Sequence, residues 1–182
     1  MNIFISGGCK NGKSYHAQRC ARAMAESNGS PLYYLATMDP HDDEDRARIR
    51  RHLRDRDGWG FATLEQPVDI CSCLRKPGVD AHGVFLLDSV TALMANEMFD
   101  SGLDPDEAAE KTKDDLCRFA ELTGNTVFVS DGIYSDAFLH EELTGKYRRA
   151  LAAADMALAQ ICDKVTEVAY GNITEHKQAG GI

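Results

Sequence analysis

Met1-Asn2-Ile3-Phe4-Ile5-Ser6-Gly7-Gly8-Cys9-Lys10-Asn11-Gly12-Lys13-Ser14 opens the chain, and its reading decides the fold. The apolar run through Ile5 predicts a buried strand over Met1 to Ser6. Gly7 to Ser14 satisfies G-x-x-x-x-G-K-[ST], a phosphate loop, and the Ala, Arg and Gln content from Ser14 to Glu26 predicts a helix directly after it. Strand, glycine turn and helix in that order are the context the motif needs. The backbone N–H groups of Gly7, Gly8, Cys9, Lys10, Asn11 and Gly12 can wrap a phosphate while the helix N-terminus adds positive potential. Lys13 then reaches the β and γ phosphates of a nucleotide, and the Ser14 hydroxyl is placed to ligate Mg2+. The alternative, a glycine turn that merely caps a strand, leaves the flanking strand and helix unexplained.

Outward from this unit the chain alternates. Pro31 to Thr37, Gly83 to Asp88 and Thr126 to Ser130 are short and apolar on both faces, as strands of a covered parallel sheet are. A last strand is predicted over Lys164 to Tyr170. Helical patterns fall between the strands at Asp43 to Arg56, Val90 to Phe99, Asp104 to Leu122 and Glu141 to Ala159. The expected fold is α/β, a P-loop NTPase-like domain with a mostly parallel sheet flanked by helices. A length of 182 residues suits one domain, taken as residues 1–177, with residues 178–182 as an aperiodic tail.

Composition narrows the partners. Carboxylates outnumber Lys and Arg by 29 to 20, a net charge of -9, which argues against a nucleic-acid surface and makes any anion site local. Apolar residues at 43% and charged residues at 27% are those of a globular protein with a core. There is no apolar stretch of membrane-spanning length and no signal-peptide pattern at the N-terminus, so a cytoplasmic protein without an integral membrane segment is expected. The cysteines (Cys9, Cys20, Cys71, Cys73, Cys117, Cys162) have neither zinc-site nor disulfide-framework spacing and read as reduced thiols.

Two further features carry chemistry. Asp88 ends the run Val84-Phe85-Leu86-Leu87 at a strand's carboxyl edge, where a metal-side carboxylate is needed; it also precedes a helix and could serve as its N-cap. In the helix predicted over Asp43 to Arg56, acids fill the first turn and Arg46, Arg48, Arg50, Arg51, Arg54 and Arg56 follow. Arg48, His52 and Arg56 repeat every four residues and so share one face. An imidazole between two guanidiniums suits a polyphosphate, with His52 as nucleophile or proton carrier. The bland reading is a solvated basic helix pairing with its own acids. His16 reads as a surface residue, while Lys146, Arg148 and Arg149 either meet a substrate phosphate or balance Glu141 and Glu142.

Taken in order, Gly7-Gly8 to Gly12-Lys13-Ser14, Tyr34-Leu35-Ala36-Thr37, Asp42-Asp43-Glu44, Arg48-Ile49-Arg50-Arg51-His52 and Phe61-Ala62-Thr63-Leu64-Glu65 resemble the adenosylcobinamide kinase/adenosylcobinamide-phosphate guanylyltransferase family of cobalamin biosynthesis. The resemblance runs across nearly the whole chain. It implies a bifunctional enzyme: ATP or GTP phosphorylates the aminopropanol hydroxyl of the corrinoid adenosylcobinamide, and GTP then donates GMP to that phosphate with release of pyrophosphate. It implies a covalently guanylylated histidine, here His52, with Arg48 and Arg56 placed to offset developing charge. It also implies Mg2+, a homotrimer, and nucleotide or metal contacts at Thr37, Glu65 and Asp88. The pattern is broken where Asp131-Gly132-Ile133-Tyr134 replaces Asn-Glu-Val-Gly and where Ala152, Asp155 and Met156 match Gly-x-x-Asn-Gln. Those departures keep two other readings open: a diverged phosphotransferase or nucleotidyltransferase with another acceptor or one half-reaction, and a nucleotide-binding regulatory module.

Overall fold

The computed structural model describes residues 1–38, 54, 56–134 and 138–178. Arg48, His52, most of the helix predicted over Asp43 to Arg56, and residues 179–182 of the expected tail lie outside the described residues.

The strands are β1 (Ile3–Gly7), β2 (Leu32–Ala36), β3 (Ala62–Glu65), β4 (Val84–Asp88), β5 (Thr126–Val129), β6 (Lys164–Ala169) and β7 (Asn172–Lys177). The helices are α1 (Lys13–Asn28), α2 (Val90–Asp100), α3 (Pro105–Thr123) and α4 (Glu142–Ile161), with a short 3-10 helix at Ile70–Arg75. The strands form one sheet in the order β3-β2-β4-β5-β1-β6-β7. β1 to β6 are parallel, and β7 runs antiparallel to β6. Two strands exceed the expectation. β3 and β7 carry mostly exposed residues on short edge segments, so they lack the apolar pattern by which the inner strands announce themselves. Lys164–Ala169 is therefore followed by a hairpin partner and is not the last strand.

Alternation along each inner strand splits the core between two layers. Phe4, Tyr33, Leu35, Phe85, Leu87 and Phe128 face α2, α3, α4 and the 3-10 helix. Ile3, Ile5, Leu32, Tyr34, Val84, Leu86, Val127 and Val129 face the other way, against Ala17, Ala21, Met24 and Ala25 of α1. The alanines let α1 sit close to the sheet, while the opposite layer is filled by aromatic rings such as Tyr33 stacked on Phe85 at 4.9 Å.

The register aligns one row at the carboxyl edge: Glu65 opposite Ala36, Ala36 opposite Asp88, Asp88 opposite Val129, and Val129 opposite Ile5. Asp88 is thus two strand spacings from β1, roughly 10 Å, and Glu65 four, roughly 19 Å.

Candidate active site

β1 runs into the glycine loop at Gly7, whose φ is +151° and where a Cβ would sit 2.2 Å from the Val168 carbonyl oxygen. Only glycine fits so close to β6. Gly12 caps α1 in the left-handed region with φ +91° and, having no side chain, offers that helix end no side-chain cap. Ser89 and Asp104 do cap α2 and α3 with their side chains. An N-terminus left open, with no acid in its first turn, is one built for an external anion.

Lys13 is buried and does not point to solvent. Its Nζ donates to the Gly8 carbonyl at 2.6 Å and to Asp131 Oδ1 at 2.7 Å. Asp131 follows β5, the strand between β1 and β4, so the parallel sheet delivers it beside the phosphate loop. Behind it Asp155 of α4 is buried, with Oδ2 accepting from Ser130 Oγ and from the Tyr134 hydroxyl, each at 2.9 Å. Its Oδ1 is buried without a partner among the described residues. Burial pushes Asp155 up to about 7, opposed by those two hydrogen bonds and reinforced by the charge of Asp131.

A second cluster sits at the β4 end. Ser89 caps α2, its Oγ accepting from the Ala92 N–H at 3.2 Å, which leaves Asp88 free of that task. Asp88 Oδ2 is buried and lacks a hydrogen-bond partner among the described residues. The Tyr34 hydroxyl lies in the same cluster, and burial, then the charge of Asp88, hold it well above the usual phenol range. The Arg56 guanidinium lies 3.4 Å from the centre of the Tyr34 ring. Arg56 is buried with Nη1 unpartnered among the described residues, whereas Arg54 is exposed.

The other expected residues are placed as follows. Cys9 and Lys10 are exposed on the loop and Asn11 and Ser14 half-buried. Thr37 is fully buried, its Oγ1 donating to the Ser89 carbonyl and accepting from the Ser89 N–H, both at 2.9 Å. It joins the ends of β2 and β4. Glu65 is exposed at the end of β3, too far from Lys13 to share a phosphate with it. His16 contacts Cys20 Sγ at 3.6 Å, Lys146 pairs with Asp106 at 2.8 Å, and Arg148 Nε donates to the Ile133 carbonyl at 3.2 Å. The six cysteines are all free. Among the described residues no cluster of His, Cys, Asp and Glu is arranged to hold a metal ion, and no helix is long and apolar enough to cross a membrane.

A phosphate loop, an open helix end and a buried strand-end carboxylate oxygen without a partner among the described residues describe a nucleotide site without naming its chemistry. The family model for cobinamide kinase / cobinamide phosphate guanyltransferase matches residues 3–175, strand to strand across the whole sheet. The chain belongs to that family. Among curated relatives of this cobinamide kinase / guanyltransferase family member, the bifunctional adenosylcobalamin biosynthesis protein CobP of Pseudomonas aeruginosa is 29% identical over 171 residues, 94% of each chain. The protein CobU of Escherichia coli is 34% identical over 110 residues, 59% of this chain and 56% of that one. CobU of Salmonella typhimurium is 26% identical over 94% of this chain and 97% of its own. Among solved structures, an ATPase domain covers 100% of this chain and 78% of its own with a TM-score of 0.58 at 13% identity. A KaiC-like protein of Pyrococcus horikoshii covers 98% of this chain and 79% of its own, with a TM-score of 0.51 at 14% identity. Likeness at that identity is one of fold, the P-loop ATPase type expected from Gly7 to Ser14.

In this family member the residues that sequence reading did not assign to the site are Tyr34, Asp131 and Asp155. Tyr34 was visible only as part of the Tyr34 to Thr37 match, and Asp131 and Asp155 only as breaks in the family pattern. Asp155 makes the fold sensitive to pH. An unfolded aspartate titrates near 3.8 and the folded one near 7, so within that window the native chain keeps a proton that the unfolded chain releases. Stability therefore falls as pH rises from about 4 to about 7 and levels off above, a change of about 4 kcal/mol. Asp155→Asn keeps an oxygen for Ser130 and Tyr134 and removes the titration. Urea unfolding at pH 5 and pH 8 should show the variant gaining on the unaltered chain at the higher pH; a difference that does not change with pH would rule this out.

Proposed function

We propose that this chain is a bifunctional transferase of adenosylcobalamin biosynthesis. It phosphorylates the hydroxyl of adenosylcobinamide with ATP or GTP, and then transfers GMP from GTP to the new phosphate by way of His52. The observation that carries this reading is the family match across residues 3–175 over a phosphate loop whose helix end is open and whose lysine is buried beside it. In the first half-reaction the acceptor oxygen attacks the γ-phosphorus and the bond to the bridging oxygen breaks, releasing nucleoside diphosphate. Backbone N–H groups from Gly7 to Gly12 and the Lys13 ammonium hold the triphosphate and offset its charge. In the second, the His52 imidazole attacks the α-phosphorus and pyrophosphate leaves; the cobinamide phosphate then displaces the imidazole. Arg48 and Arg56 offset charge at the α-phosphate.

Mg2+ fits the residues present. The buried Asp88 Oδ2, without a partner among the described residues, is a hard oxygen donor at the strand end, and the Ser14 hydroxyl lies in the first turn of α1. Such a cation needs only one or two side chains besides substrate phosphates, so Asp88 and Ser14 would hold it and it would offset the charge of a bound triphosphate. Thr37 and Glu65 belong to the nucleotide site in this reading, Thr37 by holding the β2 and β4 ends together. The working unit is a domain over residues 1–177, active as a cytoplasmic homotrimer.

A second reading, a related transferase with another acceptor or only one half-reaction, is favoured by the loop Asp131 to Tyr134. The test for both is incubation with adenosylcobinamide, Mg2+, and ATP or GTP, followed by mass spectrometry of the corrinoid. Gain of a phosphoryl group, then of GMP when GTP is present, is expected. An unmodified corrinoid would sink the first reading, and phosphorylation without GMP transfer would leave the second.

A further inference from the structure

Lys13 and Asp131 are 118 positions apart and share a 2.7 Å ion pair at the mouth of the phosphate loop. The Asp131 backbone is clamped on every side. The Ser130 N–H donates to the Ile5 carbonyl at 3.0 Å and the Gly132 N–H to the Gly7 carbonyl at 3.1 Å, tying the segment to β1. The Asp131 N–H donates to Thr91 Oγ1 at 2.8 Å, and the Tyr147 hydroxyl holds the Thr91 carbonyl at 2.9 Å. Ser130 and Tyr134, on either side, both end on the buried Asp155. This is the supporting shell of a functional group, which a loop left to solvent does not have.

A carboxylate is the wrong group for holding a polyanion. It stands one hydrogen bond from the ammonium that meets the β and γ phosphates, and its charge opposes theirs. What it can supply there is a proton acceptor for an oxygen attacking the γ-phosphorus. Lys13 occupies Oδ1 and orients the carboxylate, so the proton falls to Oδ2.

We propose that Asp131 is the general base of the phosphoryl-transfer half-reaction. As the acceptor oxygen bonds to the γ-phosphorus, its proton passes to Asp131. The bond from the γ-phosphorus to the bridging oxygen breaks, and the electron pair leaves with the nucleoside diphosphate. The proposal rests on the kinase reading above and adds the residue that the reading lacks.

The test uses the full chain, its Asp131→Asn and Asp131→Glu variants, adenosylcobinamide as acceptor, and a non-hydrolysable triphosphate for binding. Asn keeps the oxygen that accepts from Lys13, so the loop stays in place. The expected result is a fall in kcat of about 10²–10⁴-fold, with the triphosphate bound as tightly or more tightly because a negative charge has gone, and partial recovery of kcat in the glutamate variant. A kcat within about threefold of the unaltered chain would make Asp131 a counter-ion for Lys13 only, and overturn the proposal. Loss of triphosphate binding would do the same, by showing a structural role. An unaltered chain that phosphorylates no adenosylcobinamide would overturn the kinase reading and the base with it, a failure seen before any variant is compared.

Discussion

A His52→Ala protein incubated with Mg2+ and GTP radiolabelled at its α-phosphate is expected to retain no label through denaturing electrophoresis, where the unaltered chain retains it. The effect is all or none because a covalent intermediate requires a nucleophile, and a methyl side chain has none. The bond formed is nitrogen to phosphorus, so the label should be lost in acid and kept in alkali. The phosphate loop also brings lysine amines to a nucleotide, Lys10 exposed on the loop and Lys13 held by Gly8 and Asp131. Either amine can give a bond of similar lability, which is why the His52 variant is the deciding sample. Equal label on both proteins would remove His52 from the mechanism, and no label on either would remove the guanylyl half of the proposed function. Arg56 ties this chemistry to the described structure: it is buried over the ring of Tyr34, on the strand that pairs with the one Asp88 ends.

Removal of the Lys13 ammonium should cost phosphoryl transfer on the order of 10³–10⁵-fold, the range associated with a cation supplied to the same kind of transition state. Lys13→Ala has a second consequence particular to this chain. Asp131 loses its partner and is left as an uncompensated charge facing the triphosphate, so nucleotide affinity should fall as well. The double variant Lys13→Ala with Asp131→Asn should recover affinity without recovering turnover, a non-additivity expected of two groups in contact. Steady-state transfer to adenosylcobinamide and equilibrium binding of a non-hydrolysable triphosphate measure the two effects separately. A single variant within tenfold of the unaltered turnover would show that the loop holds the nucleotide without acting on it.

The glycine loop and the helix it opens were legible in the sequence because their contacts are local. Gly7 to Ser14 is a strand end, a turn and a helix start, and each requirement, from the left-handed Gly12 to the uncapped first turn, is met within a few residues. The inner strands were legible for a similar reason: burial on both faces demands an unbroken apolar run, as in Val84 to Leu87. β3 and β7 were not, since they are held by backbone hydrogen bonds at the sheet edges and their side chains face solvent. Nor was the other half of the site. Asp131 looked like a substitution in a loop until β5 was inserted between β1 and β4, and Asp155 looked like one more polar residue until α4 laid it under Ser130 and Tyr134. The sequence by itself determined the glycine loop and the sheet's inner strands, and it nominates His52 as the nucleophile to be tested. The tertiary structure alone decided which carboxylate meets Lys13, which arginine is buried at Tyr34, and which aspartate carries a proton near neutrality. A charge's partner and its desolvation depend on strand order and helix packing, which bring together residues that no local pattern connects.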